Sequence, residues 1–308
     1  MPRAEPALAA RARGGLLGLA AGNALGLPAE GLTAAEVAAA WPAGLRDIER
    51  RDTPASPFDD DTAMALILAE ELLAEEVDLR RLADRWIGWL RTDGRGAGAW
   101  TRTALEHIAR HDSPPAGMSG PATSGAVMRC LPVALATYAS PRNLVSGTWH
   151  TAALTHPDPR CAWGAVAVNV AAARFLAGRR DFVPDVIEAL RANDAPAELL
   201  AAVRRVPLER LDEVARNATA DAPVLLCVET ALWAAYHAPV LEEALLQIVA
   251  LGGDADTHAA VAGGLLGLRD GEDAVPPRWV AALPQAEHLR TVAGRLVGAA
   301  ETSDATGP

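Results

Sequence analysis

The chain contains no lysine: its 28 basic residues are all arginine, set against 39 Asp and Glu for a formal net charge of −11. That absence excludes a P-loop lysine and a Schiff-base lysine outright. No basic stretch offsets the acidic balance, which argues against nucleic acid as a partner. Cysteine is scarce too. Cys130, Cys161 and Cys227 are odd in number, far apart and each in an apolar context, so they read as reduced core residues of a cytoplasmic protein. Long hydrophobic runs are missing: the longest, Cys161 to Ala173, is too short for a bilayer and ends at Arg174, so no membrane segment is predicted. Arg3, Arg11 and Arg13 ahead of the apolar Gly14 to Ala24 resemble a secretory leader superficially, but no convincing cleavage site follows, and the stretch is expected in the mature protein. Strand-like alternation and fixed-period repeats are absent as well.

What remains is helical. Half of the 308 residues are hydrophobic, ample for a large core, and the expected fold is all-α, a single compact multi-helix domain over residues 1–300 with a disordered tail at 301–308. One domain is favoured because the two acid-rich motifs, near residues 60 and 255, can meet only if the chain closes on itself. Helices are expected at Glu5 to Ala21, with Gly15, Gly18 and Gly22 allowing close helix approach, and from the capping box Thr33-x-x-Glu36 to Trp41. Gly22 and Gly26 are expected to bracket a turn. Further helices are expected at Asp61 to Glu76, Leu79 to Arg91, Trp100 to Arg110, Gly125 to Tyr138, 160 to 178, 184 to 217 with breaks, Thr230 to Tyr236, Leu241 to Leu251 and Ala259 to Leu268.

Two motifs organise the chain. Gly252-Gly253-Asp254-Ala255-Asp256-Thr257 puts two carboxylates and a hydroxyl at the mouth of an apolar helix, and Asp59-Asp60-Asp61-Thr62 puts three adjacent acids at the mouth of another. A single helix start needs one N-cap, and acids do favour that end. Three in a row repel one another, however. Two such mouths, both ending in Thr, suggest a shared site of hard oxygen donors for Mg²⁺, Ca²⁺ or Mn²⁺. Elsewhere the residues leave alternatives open. Asp93-Gly94-Arg95-Gly96-Ala97-Gly98 suits either backbone approach to an anionic ligand or a flexible connector. Asp112 to Ser124 is long for a loop in a compact domain and suits the substrate side. Arg129, alone in an apolar segment, is either paired structurally or a ligand contact. His156 reads as a cap or turn residue, and Glu30 as a solvated loop carboxylate.

The chain resembles the ADP-ribosylglycohydrolases of the dinitrogenase-reductase-activating type nearly end to end. The landmarks that carry the resemblance are Gly22-Asn23-Ala24-Leu25-Gly26 with Glu30, then Asp59-Asp60-Asp61-Thr62, Met128-Arg129, Thr155-His156-Pro157, Gly252 to Thr257, and Val275-Pro276-Pro277-Arg278-Trp279. The resemblance implies an all-α fold around two divalent cations, Mg²⁺ or Mn²⁺, held by Asp60, Asp61, Asp254, Asp256 and Thr257, with Asp59 where the family usually has Thr or Ser. It implies Glu30 as the catalytic acid or base, and Asp93, Gly94, Gly96, Met128, Arg129 and His156 about the substrate pocket. The substrate implied is an ADP-ribosylated protein or small molecule, cut at C1 of the distal ribose.

Three departures from the family pattern stand out: Asn23 replaces an Asp, Ala255 a Thr, and Asp59 a hydroxyl. Asn23 and Ala255 are expected to be tolerated. Asp59 changes the charge: four carboxylates balance two divalent ions, and an ionised, inward Asp59 brings the sum to −1. Beside an ADP-ribosyl hydrolase, the sequence therefore leaves a hydrolase of another ribosyl or nucleoside-like glycoside, and a non-catalytic ADP-ribose-binding protein. The acceptor and the oligomeric state are not legible.

Overall fold

Small residues build the centre. In the computed structural model of the protein, which describes residues 7–49, 56–217, 219 and 221–304, the helices Leu8–Gly26 and Ala255–Asp270 pack backbone to backbone. A methyl group on Gly14, Gly18, Gly22 or Gly26 would collide with the backbone of Gly267, Gly263, Ala259 or Asp256 in turn. The order of those pairs makes the helices antiparallel, and the four-residue spacing is one helix face. Every residue from Gly14 to Gly26 and from Ala255 to Arg269 is buried, which is why neither helix carries an amphipathic pattern. Gly22→Ala is expected to destabilise the protein. The overpacking costs about 1–3 kcal/mol, and the better helix propensity of Ala returns about 1 kcal/mol at most. A denaturant midpoint that stays put or rises would show that the two backbones can separate freely.

Around this pair pack Asp60–Glu71, Leu131–Thr137, Pro159–Leu176, Pro223–His237, Leu241–Val249 and Ala286–Asp304. The outer helices are amphipathic. Leu79–Thr92, for example, buries Leu82, Ala83, Trp86 and Ile87, one stripe at helical spacing, and exposes Arg80, Arg81 and Arg91. One buried apolar cluster reaches from Ala12 to Val297, so the chain forms a single domain. Among the described residues there is no strand, only an isolated bridge between Thr33 and Gly252. The fold is all-α, as expected.

Several boundaries differ from expectation. The first helix does not turn at Gly22: it runs on to Gly26, because the missing side chains let it stay against its partner, and the chain turns only in the 3₁₀ segment Leu27–Ala29. Met128 and Arg129 lie in a turn rather than on a helix. The helix that follows is Leu131–Thr137, with Pro132 in its first turn, where a residue without an N–H fits. Pro223 likewise starts its helix well ahead of Thr230. The last helix continues to Asp304, and the rest of the expected tail, 305–308, lies outside the described residues. So do residues 1–6, of which Glu5 and Pro6 belong to the expected first helix, and 50–55 ahead of the first acid cluster.

Candidate metal centre

Asp59 and Asp254 are the N-cap residues of Asp60–Glu71 and Ala255–Asp270, yet neither side chain caps its helix. Other helices use theirs. Thr33 and Glu36 form a capping box, and Asp78, Ser140 and Asp158 each accept a backbone N–H of the helix they start. The acids at the two mouths are therefore turned to other partners.

They are turned toward one another. Carboxylate oxygens of Asp59, Asp60 and Asp61 lie within 4.8 Å of each other, and so do those of Glu30, Asp59 and Asp256, which makes Asp59 common to both groups. Asp59, Asp60, Asp61, Asp256 and Thr257 are buried, Asp254 is half-buried, and Glu30 is exposed at the edge. Asp59 thus points inward rather than to solvent.

Glu30 arrives by a local device. Gly31 N–H donates to the Gly253 carbonyl at 2.8 Å, and Gly253 N–H donates to the Leu32 carbonyl at 2.7 Å. Gly252 holds a left-handed φ of 68° and packs so tightly on the Leu32 carbonyl that no side chain would fit. The glycines of the second motif therefore clamp the segment after the first helix, and Glu30 is set beside Asp256.

Burial and mutual repulsion push these acids up. Loss of solvent raises Asp60 well above the ordinary carboxylate range, with Asp59 and Asp256 adding to it. Asp61 is raised for the same reason, with Asp256 and Asp60 as its main repelling neighbours. Burial, then Asp59 and Asp254, pushes Asp256 to about 8. Asp61 Oδ1 and Asp256 Oδ1 are buried without any hydrogen-bond donor, a costly arrangement unless a cation takes them up. Hard carboxylate oxygens, two of them orphaned, fit a divalent ion such as Mg²⁺ or Mn²⁺.

Asn23, read from the sequence as a departure of little consequence, is at the centre of this cluster. Its side chain is fully buried and uses all its bonding capacity. Nδ2 donates to Asp59 Oδ1 and Asp61 Oδ2, both at 2.8 Å. Oδ1 accepts from the Asp59 N–H at 3.1 Å and from Thr62 Oγ1 at 3.0 Å. Position 23 is remote from 59–62 in sequence, so no local pattern could have shown this.

The remaining expected residues divide. Gly96, with a φ of 73°, packs directly on the Asp59 and Asp60 carboxylates, where any Cβ would clash. The neighbouring Gly94 has a φ of 59°, and a Cβ there would press on the Leu90 carbonyl. Asp93 pairs with Arg95 at 2.7 Å, a contact that lowers its pKa, and Arg95 also donates to the Ser56 carbonyl at 2.9 Å. Met128, Arg129 and His156 are buried. The Arg129 guanidinium lies 4.2 Å from the centre of the Trp86 ring and donates to Thr155 Oγ1. Burial lowers its pKa to about 9, opposed by the nearby Asp60. His156 bonds Thr155 Oγ1 through Nδ1 at 2.8 Å and Thr123 Oγ1 through Nε2 at 3.1 Å, and burial followed by the Arg129 charge keeps it neutral. Through Thr155 and His156 these contacts tie Thr123 to Arg129, whose charge lies near Asp60. A wide surface cleft elsewhere, about 850 Å³ and lined by Tyr138, Trp149, Trp163 and Arg174, shares no residue with the cluster.

Comparison with known proteins bears on the same chemistry. Residues 4–306 match the family model of the ADP-ribosylglycohydrolases. The ADP-ribosyl-[dinitrogen reductase] glycohydrolase of Rhodospirillum rubrum is 28% identical over 90% of this chain and 92% of that protein. The ADP-ribosylarginine hydrolase Tri1 of Serratia proteamaculans is 26% identical over 96% of this chain and 81% of that protein. A solved structure described as an ADP-ribosylglycohydrolase-related protein complex superposes with a TM-score of 0.78 at 29% identity, covering 95% of this chain and 99% of that one.

Proposed function

Because the chain belongs to the ADP-ribosylglycohydrolase family and is a hydrolase of ADP-ribosyl bonds, we propose that it cuts at C1 of the distal ribose with the help of two divalent cations, Mg²⁺ or Mn²⁺. The observation that carries this reading is the meeting of two helix mouths in one buried carboxylate cluster, with Glu30 at its open edge and two carboxylate oxygens left without donors. Asp59, Asp60, Asp61, Asp254, Asp256 and Thr257 would hold the ions. When bound, they supply Lewis acidity and orient ribose hydroxyls and water.

The chain's own residues do the rest. Glu30 is exposed at the edge of the cluster, so its carboxylate reaches solvent and would exchange a proton with a water or leaving group held there. The buried acids concentrate negative charge where an oxocarbenium-like ribose carbon develops positive charge. Asn23 keeps Asp59 and Asp61 aimed inward, and Gly96 lets the 93–98 loop lie directly on the carboxylates. The substrate is an ADP-ribosylated protein or small molecule, and the names of the two relatives make ADP-ribosylarginine the first linkage to try. No helix among the described residues is long and apolar enough to cross a membrane. The three cysteines are unpaired and buried, which supports a reducing, cytoplasmic setting.

The test is release of ADP-ribose from arginine-, serine- and nucleotide-linked substrates with Mg²⁺, with Mn²⁺ and with chelator. Turnover is expected with at least one linkage and only with a cation. Cation binding without turnover of any of the three would favour a binding protein with a silent site.

A further inference from the structure

We propose that Asn23 and Asp59 are a matched pair: the neutral amide of Asn23 is what allows this chain to carry a third adjacent carboxylate, Asp59, inside the cation-binding cluster. The inference rests on the reading that the cluster binds divalent cations, and it concerns how this chain builds that cluster.

The bonding inventory carries it. A primary amide has two N–H donors and an oxygen with two lone pairs, and Asn23 spends all of them on one neighbourhood. Both donors go to carboxylates, Asp59 Oδ1 and Asp61 Oδ2 at 2.8 Å. Both lone pairs go to the backbone and side chain that begin the Asp60–Glu71 helix, the Asp59 N–H and the Thr62 hydroxyl. Asn23 therefore holds two acids side by side and fixes the Asp59 backbone at the same time.

No isostere can do both. A carboxylate at position 23 would keep the two acceptor contacts, but it would turn two N–H···O contacts at 2.8 Å into two carboxylate–carboxylate contacts in a buried site. Such contacts are strongly repulsive at low dielectric. A carboxylate at position 23 would instead suit a hydroxyl at position 59, which can donate to it. The amide–acid pair found here and the reversed pair, acid at 23 and hydroxyl at 59, carry the same total charge, and each completes a hydrogen bond between its side chains. Acids at both positions have no donor between them, and an amide facing a hydroxyl lacks the negative charge. The extra charge counted for Asp59 is thus offset at position 23. The two positions act as a unit that sets which of them supplies the carboxylate, making Asn23 a positioning residue for Asp59.

A double-mutant cycle on the full chain tests this. Asn23→Asp, Asp59→Thr and the double variant are compared by melting temperature in chelator and by Mn²⁺ affinity from calorimetry without substrate. Asn23→Asp is expected to melt several degrees below wild type in chelator, and adding Asp59→Thr is expected to recover most of that loss. Asp59→Thr alone is expected to weaken Mn²⁺ binding at least tenfold, and the double variant to return within about threefold of wild type. Should Asn23→Asp fail to fold, a double variant that folds and binds Mn²⁺ supports the pair, and one that fails as well overturns it. Additive effects on both readouts overturn it too. If wild type binds no Mn²⁺ at all, the cation-dependent function fails instead, while the melting temperatures in chelator still decide the pairing.

Discussion

Replacing Glu30 by Gln should lower turnover by about 10²- to 10⁴-fold, the usual contribution of a positioned acid or base. The substitution keeps shape and hydrogen-bonding reach while removing the exchangeable proton. Because Glu30 is exposed and lies at the edge of the cluster, the fold has little at stake in it. Its charge repels Asp60 and Asp256, so neutralising it should leave the metal-free melting temperature unchanged or slightly raised. The loss should fall on kcat, with Mn²⁺ affinity within a few-fold of wild type. Unchanged turnover would make Glu30 an ordinary loop carboxylate; a parallel collapse of stability would mean that it holds the 30–33 segment rather than acting on substrate.

Stripped of divalent ions, the protein should become less stable as pH rises from about 4 to about 8, and saturating Mn²⁺ or Mg²⁺ should abolish or reverse that trend. The sign follows from the direction of the shifts. Asp60, Asp61 and Asp256 hold protons more tightly folded than unfolded, so the folded state binds more protons across this window. Stability from such groups is complete below their unfolded pKa, near 3.8, and is lost as pH climbs through the folded value, about 8 for Asp256. The loss from one strongly shifted acid is on the order of a few kcal/mol. A cation at ~100 times its dissociation constant adds about 2.7 kcal/mol, and it does so most at high pH, where the acids are ionised and bind it best. Melting curves from pH 5 to 8, with chelator and with each ion, check both limbs. A melting temperature that rises with pH in chelator, or that no divalent ion moves, would remove the basis for the site.

The acid-rich helix mouths themselves were legible because their chemistry is local. Three adjacent acids at the start of an apolar helix are too many for a cap, and a second Asp-rich mouth points to a common use. The all-α class followed from helical spacing without strand alternation. The long central helices were harder to bound. Leu8–Gly26 and Ala255–Asp270 are buried on all sides, so they have no polar face to mark where they stop, and the run through Gly22 to Gly26 read as a turn.

The sequence by itself determined the inventory: which residues bring oxygen donors, that no lysine chemistry is possible, and that the chain must close on itself for its two acid-rich motifs, near residues 60 and 255, to meet. Only the tertiary structure decided how they are arranged. Asn23 became a partner of Asp59 because a glycine-faced helix lies hard against its neighbour and delivers that amide to a position 36 residues away. Arg129 was buried beside Thr155 because a turn ahead of Pro132 directs it inward, and His156 was buried there too, just past the end of the helix Pro141–Ala153. Such outcomes depend on distances between segments remote in sequence, and spacing along a chain fixes only the neighbours within a turn or two of helix.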